Sequence, residues 1–487
     1  MAADIPLEGA TFDELGAGLR EDRFSSRELA EAYLERIRAR DGDGPTLRSV
    51  IEVNPDAIEI AEARDRERGE TSFVSPLHGI PVLVKDNIDT ADAMHTTAGS
   101  LALLEPRPPR DAALVERLRG AGAIVLGKTN LSEWANWRSS RSSSGWSAVG
   151  GQCVNPHALD RSPCGSSSGS GVAVAADLCT AAIGTETDGS IVCPSSANGI
   201  VGLKPTRGRI SGAGIVPIAH SQDTAGPMAR TVADAAALLS AIAETGVEPT
   251  LDPAALRGAR IGVARNLAGF HDGVDALFED ALAALRDLGA EVVDPANVPH
   301  VEELEKPELE VLMYEFKADI VEYLSTRPEG APRTLADLIA FNRAHAEEEL
   351  AVFGQELFEA SEAKGPLTEP AYVDALETCG RLSREEGFDA VFAEHRLDAV
   401  VQPTRAPAWL IDHVNGDASR GGDSGPAAVS GYPSITVPMG FVSDLPVGLS
   451  FTGRAWSEAT IIGFAYAFER ETGHRRAPRF LSSVGNR

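Results

Sequence analysis

The sequence predicts an α/β fold. Two patterns carry that reading. Apolar, β-branched runs of strand length alternate with helical periods, and the helix–Gly-Ala–strand order after Asp111 returns at Ala281–Val293. A third observation is local: Ser162–Thr206 packs two serine-and-glycine clusters around a short apolar run. Glycine serves where the backbone takes φ > 0 or approaches another group closely, and successive N–H groups in such loops point at anions. A chain of 487 residues accommodates one very large α/β domain or two to three ordinary ones. With no low-complexity linker in it, one continuous domain over residues 1–487 is expected.

The elements follow in order. Thr11–Glu14 and Ser25–Glu28 each set an acid three residues after a hydroxyl, the capping-box pattern. Leu29, Tyr33, Leu34 and Ile37 then recur at helical spacing to about Arg40, and a charged helix runs from Asp56 to about Arg68. Leu77–Thr90 reads LHGIPVLVKDNIDT, a β-branched strand that runs into Lys85. Lysine is seldom fully buried unless it is paired or functional. Ile124–Leu126 is the next strand and leads into GKTN. The serine-rich loop Ser139–Ser147, with Trp137 before it and Trp146 inside it, is either a surface connection or a substrate cover. Ala181–Ile183 enters the tight turn Thr185–Ser190. Thr231 to about Thr245 is a capped helix, and Ala259–Ala264 opens a second α/β section. From His300 to about Arg396 the chain is Glu-rich with few strand signals, which predicts a helical insertion or cap at about 300–396. Strands return at Asp398–Gln402, Ser434–Val437 and Val447–Phe451, before a final helix from Glu458 to about Thr472.

A net charge of −28 argues against nucleic-acid and anionic-membrane partners, which require basic patches. No apolar run is long enough to span a bilayer, and the acidic N-terminus lacks the regions of a signal peptide, so a cytoplasmic location is expected. Five cysteines, an odd number without CxxC or Cys/His ligand spacing, argue against a disulfide framework and a zinc site. Cys193 reads as a small buried residue rather than a functional thiol. No metal or cofactor signal is present, and nothing in the sequence fixes an oligomeric state.

Three serines compete as a nucleophile. Gly165–Gly169 satisfies G-x-S-x-G with Ser167 at its centre, but that elbow needs a buried strand before it, and NPHALDRSPC has no apolar run. Ser361–Lys364 is a Ser-x-x-Lys pair in the acidic helical region, without a glycine-rich anion site. Ser190 follows a strand and a tight turn in which successive N–H groups of Thr187, Asp188, Gly189 and Ser190 converge on one developing oxyanion. Serine needs a base. His157 and His220 lie in loops of no evident pattern, whereas Lys85, buried at the end of an apolar strand, loses solvation for its charged form.

Lys85 in GIPVLVKDNI, the cluster GSSSGS and TDGSI…GIVGLKPT together resemble the amidase signature family. GAIVLGKTN, SQDTAGPMARTVADAA and PSITVPMG…PVGLSFTGRAWSE extend that resemblance over most of the chain. It implies a large mixed β-sheet flanked by helices and a Ser–cis-Ser–Lys triad. The family's Gly-Gly-Ser-Ser-Gly-Gly falls on Cys164–Gly169, which places the cis-serine at Ser166, 24 positions before Ser190. By resemblance Ser190 attacks, Ser166 relays its proton and Lys85 is the base, with Thr187, Asp188, Gly189 and Ser190 forming the oxyanion hole.

The substrate implied is a small-molecule or peptide amide. Many family members carry Arg two residues after the nucleophile; Val192 stands there, and Asp188 replaces a glycine. Losing that cation argues against a small-carboxylate substrate. The wording CGSSSGS, GTETDGSIVCP and SQDTAGPM is similar to bacterial peptide amidases, which implies action on the C-terminal amides of peptides. Alternatives are a general aliphatic or aryl amidase, the A subunit of a glutamine-dependent amidotransferase, and a non-catalytic binding module. Gln222 and Asp223 position loops or contact substrate.

Overall fold

A computed structural model describes residues 5–70 and 74–485. Both capping boxes form: the Thr11 and Ser25 hydroxyls accept from the N–H groups of Glu14 and Glu28, and helices Phe12–Arg20 and Ser26–Ile37 follow. The second helix continues through a wider turn, Arg38–Gly42, to the expected end near Arg40.

Thirteen strands are present among the described residues. The first five are β1 (Val50–Val53), β2 (Pro81–Lys85), β3 (Ile124–Thr129), β4 (Trp146–Ser147) and β5 (Gly151–Gln152). Three more frame the serine-rich stretch: β6 (Ala181–Glu186), β7 (Val201–Lys204) and β8 (Thr224–Ala229). The rest are β9 (Arg260–Val263), β10 (Glu291–Val293), β11 (Ala399–Pro403), β12 (Ser434–Val442) and β13 (Leu445–Thr452). Eleven of them form one sheet in the order β1-β3-β2-β6-β8-β7-β12-β13-β11-β9-β10, with β4 and β5 pairing apart. The sheet is mixed: β2 runs parallel to β3 and β6, and β9 to β10 and β11, while the β6–β8–β7–β12–β13 centre is antiparallel. Every residue of β2, β3, β6, β7 and β8 is buried. That is why these segments read as short apolar or small-residue runs and not as alternating ones. Helices cover the sheet, among them Ser168–Ala175 and Val192–Asn198, which are buried along their whole lengths.

Between residues 301 and 395 the described chain is helical and adds no strand to the sheet; its longest helix is Val301–Ser325. Phe316, Ile320, Leu335 and Phe358 from this part pack with Trp134 and Trp137 of the loop after β3, so these helices and the loops beside the sheet share one apolar cluster.

The cysteine expectation is overturned. Cys164 and Cys193 form a disulfide, while Cys153, Cys179 and Cys379 are buried and free. Parity and spacing missed the pair because the fold, not the sequence interval, brings the segments before Ser166 and after Ser190 together, to a Cα–Cα distance of 6.1 Å. No helix among the described residues is long and apolar enough to cross a membrane.

Candidate active site

Lys85 closes β2 with no exposed surface. Register explains its address: β2 pairs with β6 through Val84 and Ile183, so both strands end at one edge of the core, Lys85 beside Thr185. The Lys85 Nζ lies 2.7 Å from Ser166 Oγ, donates to Thr185 Oγ1 at 2.8 Å, and has Thr185 O at 3.4 Å. Among the described residues it forms no ion pair. Burial lowers its pKa from the ordinary lysine value to about 7, against the weaker upward pull of Asp223 and Glu186. The other fully buried lysines, Lys128 next to last in β3 and Lys204 at the end of β7, are engaged differently. Lys128 donates to Ile88 O and Thr96 Oγ1 with Asp86 nearby, and Lys204 donates to Tyr432 O.

Ser166 is fully buried and follows a cis peptide bond from Gly165. Its carbonyl accepts from Ser132 N at 3.0 Å, which ties it to the loop after β3. In that loop Trp134, Ala135 and Asn136 all take left-handed φ, at 50°, 53° and 72°. The backbone there is anchored by a buried cluster in which Arg138 meets Glu133 at 2.6 Å and Glu349 at 3.4 Å. Burial raises the Glu133 carboxyl well above its usual range, with Arg138 pulling it back.

Ser190 is 7% exposed and sits beside the Ser166 segment, its carbonyl accepting from Ser167 N at 3.2 Å. The turn before it depends on Gly189 at φ 73°, where an added Cβ would stand 2.6 Å from Ser424 Oγ. Asp188 is exposed and hydrogen-bonded to Ser424, while Thr187 donates to Asp223 Oδ1. The other oxygen of Asp223 accepts from Ile218 N and Ala219 N. Gln222 spans from Thr187 O at 3.3 Å to Glu308 Oε1 at 2.8 Å. Behind the turn, Glu186 accepts from Ile191 N and Val192 N, the first free N–H groups of the following helix.

The competing serines are placed otherwise. Ser167 Oγ donates to Thr185 O and accepts from Thr185 N, inside the core, with only isolated bridges at Ala158 and Arg161 in the residues before it. Lys364 Nζ reaches Glu310 at 2.7 Å. His157 is buried with its Nε2 on Asn198 O, and burial holds its pKa down at about 4. His220 forms, with Glu315 and Asp319, the one grouping among the described residues whose ligand-type atoms lie within 4.8 Å of one another. Its ring already faces Asp319 at 3.0 Å and Glu315 at 3.4 Å, and the Asp319 hydrogen bond raises its pKa, so both carboxylates are engaged by the ring. Thr185 and Asn87 were not singled out as site residues from sequence. Nothing in a lone threonine or asparagine announces that a neighbouring strand end will bring a lysine to it.

A family model described as Amidase matches residues 28–462. A probable amidase of Arabidopsis thaliana is 39% identical over 99% of this chain and 94% of its own length. The A subunit of the glutamyl-tRNA(Gln) amidotransferase of Symbiobacterium thermophilum is 35% identical over 95% of this chain and 97% of its own. Among solved structures, the native peptide amidase from Stenotrophomonas maltophilia is 52% identical, covers 98% of this chain and 99% of its own, and superposes with a TM-score of 0.92. The match spans the sheet, the buried lysine and both serine segments, and the chain belongs to the amidase signature family, as a serine amidase.

Proposed function

We propose that the protein hydrolyses the C-terminal carboxamide of peptides, with Ser190 as nucleophile, Ser166 as proton relay and Lys85 as base. The observation that carries the triad is the Lys85 environment: full burial, no carboxylate partner among the described residues, and an amine 2.7 Å from Ser166 Oγ. A neutral amine has two N–H bonds and one lone pair. With Thr185 Oγ1 and Thr185 O accepting the two N–H bonds, the lone pair is left for the Ser166 hydroxyl proton.

In the first half of the cycle Ser190 Oγ attacks the carboxamide carbon as its proton passes to Ser166 Oγ, and the Ser166 proton passes to Lys85. The N–H groups of Thr187, Asp188, Gly189 and Ser190 stabilise the oxyanion; one such donor is typically worth about 10²–10³ in turnover. Lys85, now an ammonium, returns a proton through Ser166 to the departing nitrogen, and the C–N bond breaks to leave ammonia and an acyl ester on Ser190. Water then attacks by the same relay and releases the carboxylic acid.

The peptide substrate is supported by the 52% identity to a peptide amidase; the A subunit of the Thermotoga maritima glutamyl-tRNA(Gln) amidotransferase is 27% identical with a TM-score of 0.72. Val192, where many family members carry Arg, removes a cation that would hold a small carboxylate. Ammonia release from blocked dipeptide amides, free amino-acid amides, glutamine and simple alkyl and aryl amides tests the reading. Blocked peptide amides should give the highest kcat/KM, and a preference for glutamine or free amino-acid amides overturns the substrate. Ser190→Ala and Lys85→Ala should each lose all measurable turnover while keeping a cooperative melt; ammonia release near the parent rate from either would sink the triad.

A further inference from the structure

We infer that Thr185 and Asn87 are positioning residues that aim the Lys85 amine at Ser166. This rests on the reading of Lys85 as the base, and it assigns work to two residues outside the triad and the oxyanion turn.

Thr185 Oγ1 is a junction. It accepts from Lys85 Nζ at 2.8 Å and from Asn87 Nδ2 at 3.0 Å. A hydroxyl oxygen has two acceptor lone pairs and one proton. With both lone pairs facing N–H donors, the hydroxyl proton is turned away from the amine. Lys85 therefore always meets an acceptor at Thr185, and its own acceptor site is left for Ser166. Asn87 fixes that orientation. It lies two residues beyond Lys85, its backbone oxygen is held by Val216 N at 2.8 Å, and its Oδ1 has no partner among the described residues. A position that only had to fill space would be served better by an apolar side chain, because a buried amide oxygen without a partner opposes folding.

Asn87 and Thr185 also line a cavity of about 650 Å³, together with Thr187, Ile218, Asp223 and Tyr323. Lys85 itself does not line that cavity, so Thr185, which bonds the amine, and Asn87 are its neighbours that border a space large enough for water. Water reaching Nζ would solvate the ammonium and take up the hydrogen bonds that direct the amine.

The carboxylates that face Lys85 are engaged elsewhere. Asp223 is held by Thr187 and by Ile218 N and Ala219 N, and Glu186 by Ile191 N and Val192 N. Asp86, the next residue along the chain, pairs with Lys128. None of these carboxylates bonds the amine, which leaves Thr185 as its side-chain acceptor and Ser166 as the hydroxyl that faces its lone pair.

The test uses the full-length protein and two readouts: the pH dependence of Ser190 labelling by a fluorophosphonate, which needs no knowledge of the natural amide, and kcat and KM on the best carboxamide. Thr185→Val should lower kcat by about 10²-fold, with KM within about twofold of the parent, by removing an aiming contact that matters only as the proton moves. Thr185→Ser, which keeps the hydroxyl, should recover to within about fivefold. Asn87→Asp, nearly isosteric, sets a carboxylate one hydroxyl away from Lys85 and should move the alkaline rise of the labelling rate up by about one pH unit. An unmoved rise in Asn87→Asp, or Thr185→Ser no better than Thr185→Val, overturns the inference. If Thr185→Val fails to fold, Asn87→Asp decides alone. Lys85→Ala that still labels at the parent rate removes the triad reading itself. Loss of labelling in Lys85→Ala beside parent-like Thr185→Val removes the positioning role only.

Discussion

A lysine that works as a base has to lose its proton near neutrality, and burial of Lys85 brings its pKa down to about 7. Below that value the amine is protonated and the proposed relay has no acceptor, so kcat/KM should rise with pH through about 7 and then level, as a pH–rate profile reads. The same group links pH to stability. In the unfolded chain Lys85 keeps its proton up to about 10.4, whereas in the fold it gives the proton up from about 7, so the unfolded state binds more protons in between. The penalty of burying the ammonium is complete below 7 and is relieved as pH rises through that window. Lys85→Met should therefore flatten part of the wild-type rise in melting temperature between pH 7 and 9, followed by calorimetry. Gly189 is the second exacting residue. Gly189→Ala meets both the left-handed backbone and the Ser424 hydroxyl 2.6 Å from the new Cβ. Moving the turn proposed to hold the oxyanion should cut turnover by about 10²-fold or more while the remainder of the fold still melts cooperatively.

The segments around Ser166 and Ser190 are joined twice, by the Ser167 N–H to Ser190 O bond and by the Cys164–Cys193 disulfide. The bridge closes a loop over 29 positions, for which chain-entropy estimates give about 3–4 kcal/mol of stabilisation. Cys193→Ala should lower the melting temperature measurably and weaken labelling of Ser190, with the three free cysteines serving as the internal control for a reductant. The buried Arg138 cluster anchors the left-handed loop behind Ser166 in the same way. Arg138→Met leaves Glu133 and Glu349 uncompensated and should cost about 3–5 kcal/mol, measured by urea denaturation. Legibility in the sequence follows the range of the forces. Capping boxes at Thr11 and Ser25, the strand ending on Lys85 and the helix Glu458–Thr472 are local patterns, and they were readable. The wall that Asn87 and Thr185 make around Lys85, the disulfide, and the Glu133–Arg138–Glu349 cluster join residues from two to 216 positions apart. Those depend on strand order, which no single stretch of sequence carries.

At the scale of the whole molecule, the charge of −28 creates a field that attracts cations and is screened by salt. Peptide amides carrying a lysine or arginine side chain should lose kcat/KM as ionic strength rises from about 0.02 to 0.2 M, while neutral peptide amides change little. The sheet is open, and its ends are the strands β1 and β10, four and three residues long. Strands at open ends offer unpaired backbone groups to other chains. Here the offer is brief, and at β10 it is guarded by charge, because Glu291 is exposed and ion-paired to Arg260 on the neighbouring strand. An eleven-stranded sheet with such ends resists growth by strand addition. The short end strands therefore leave few unpaired backbone groups on which a second copy of the chain could be templated.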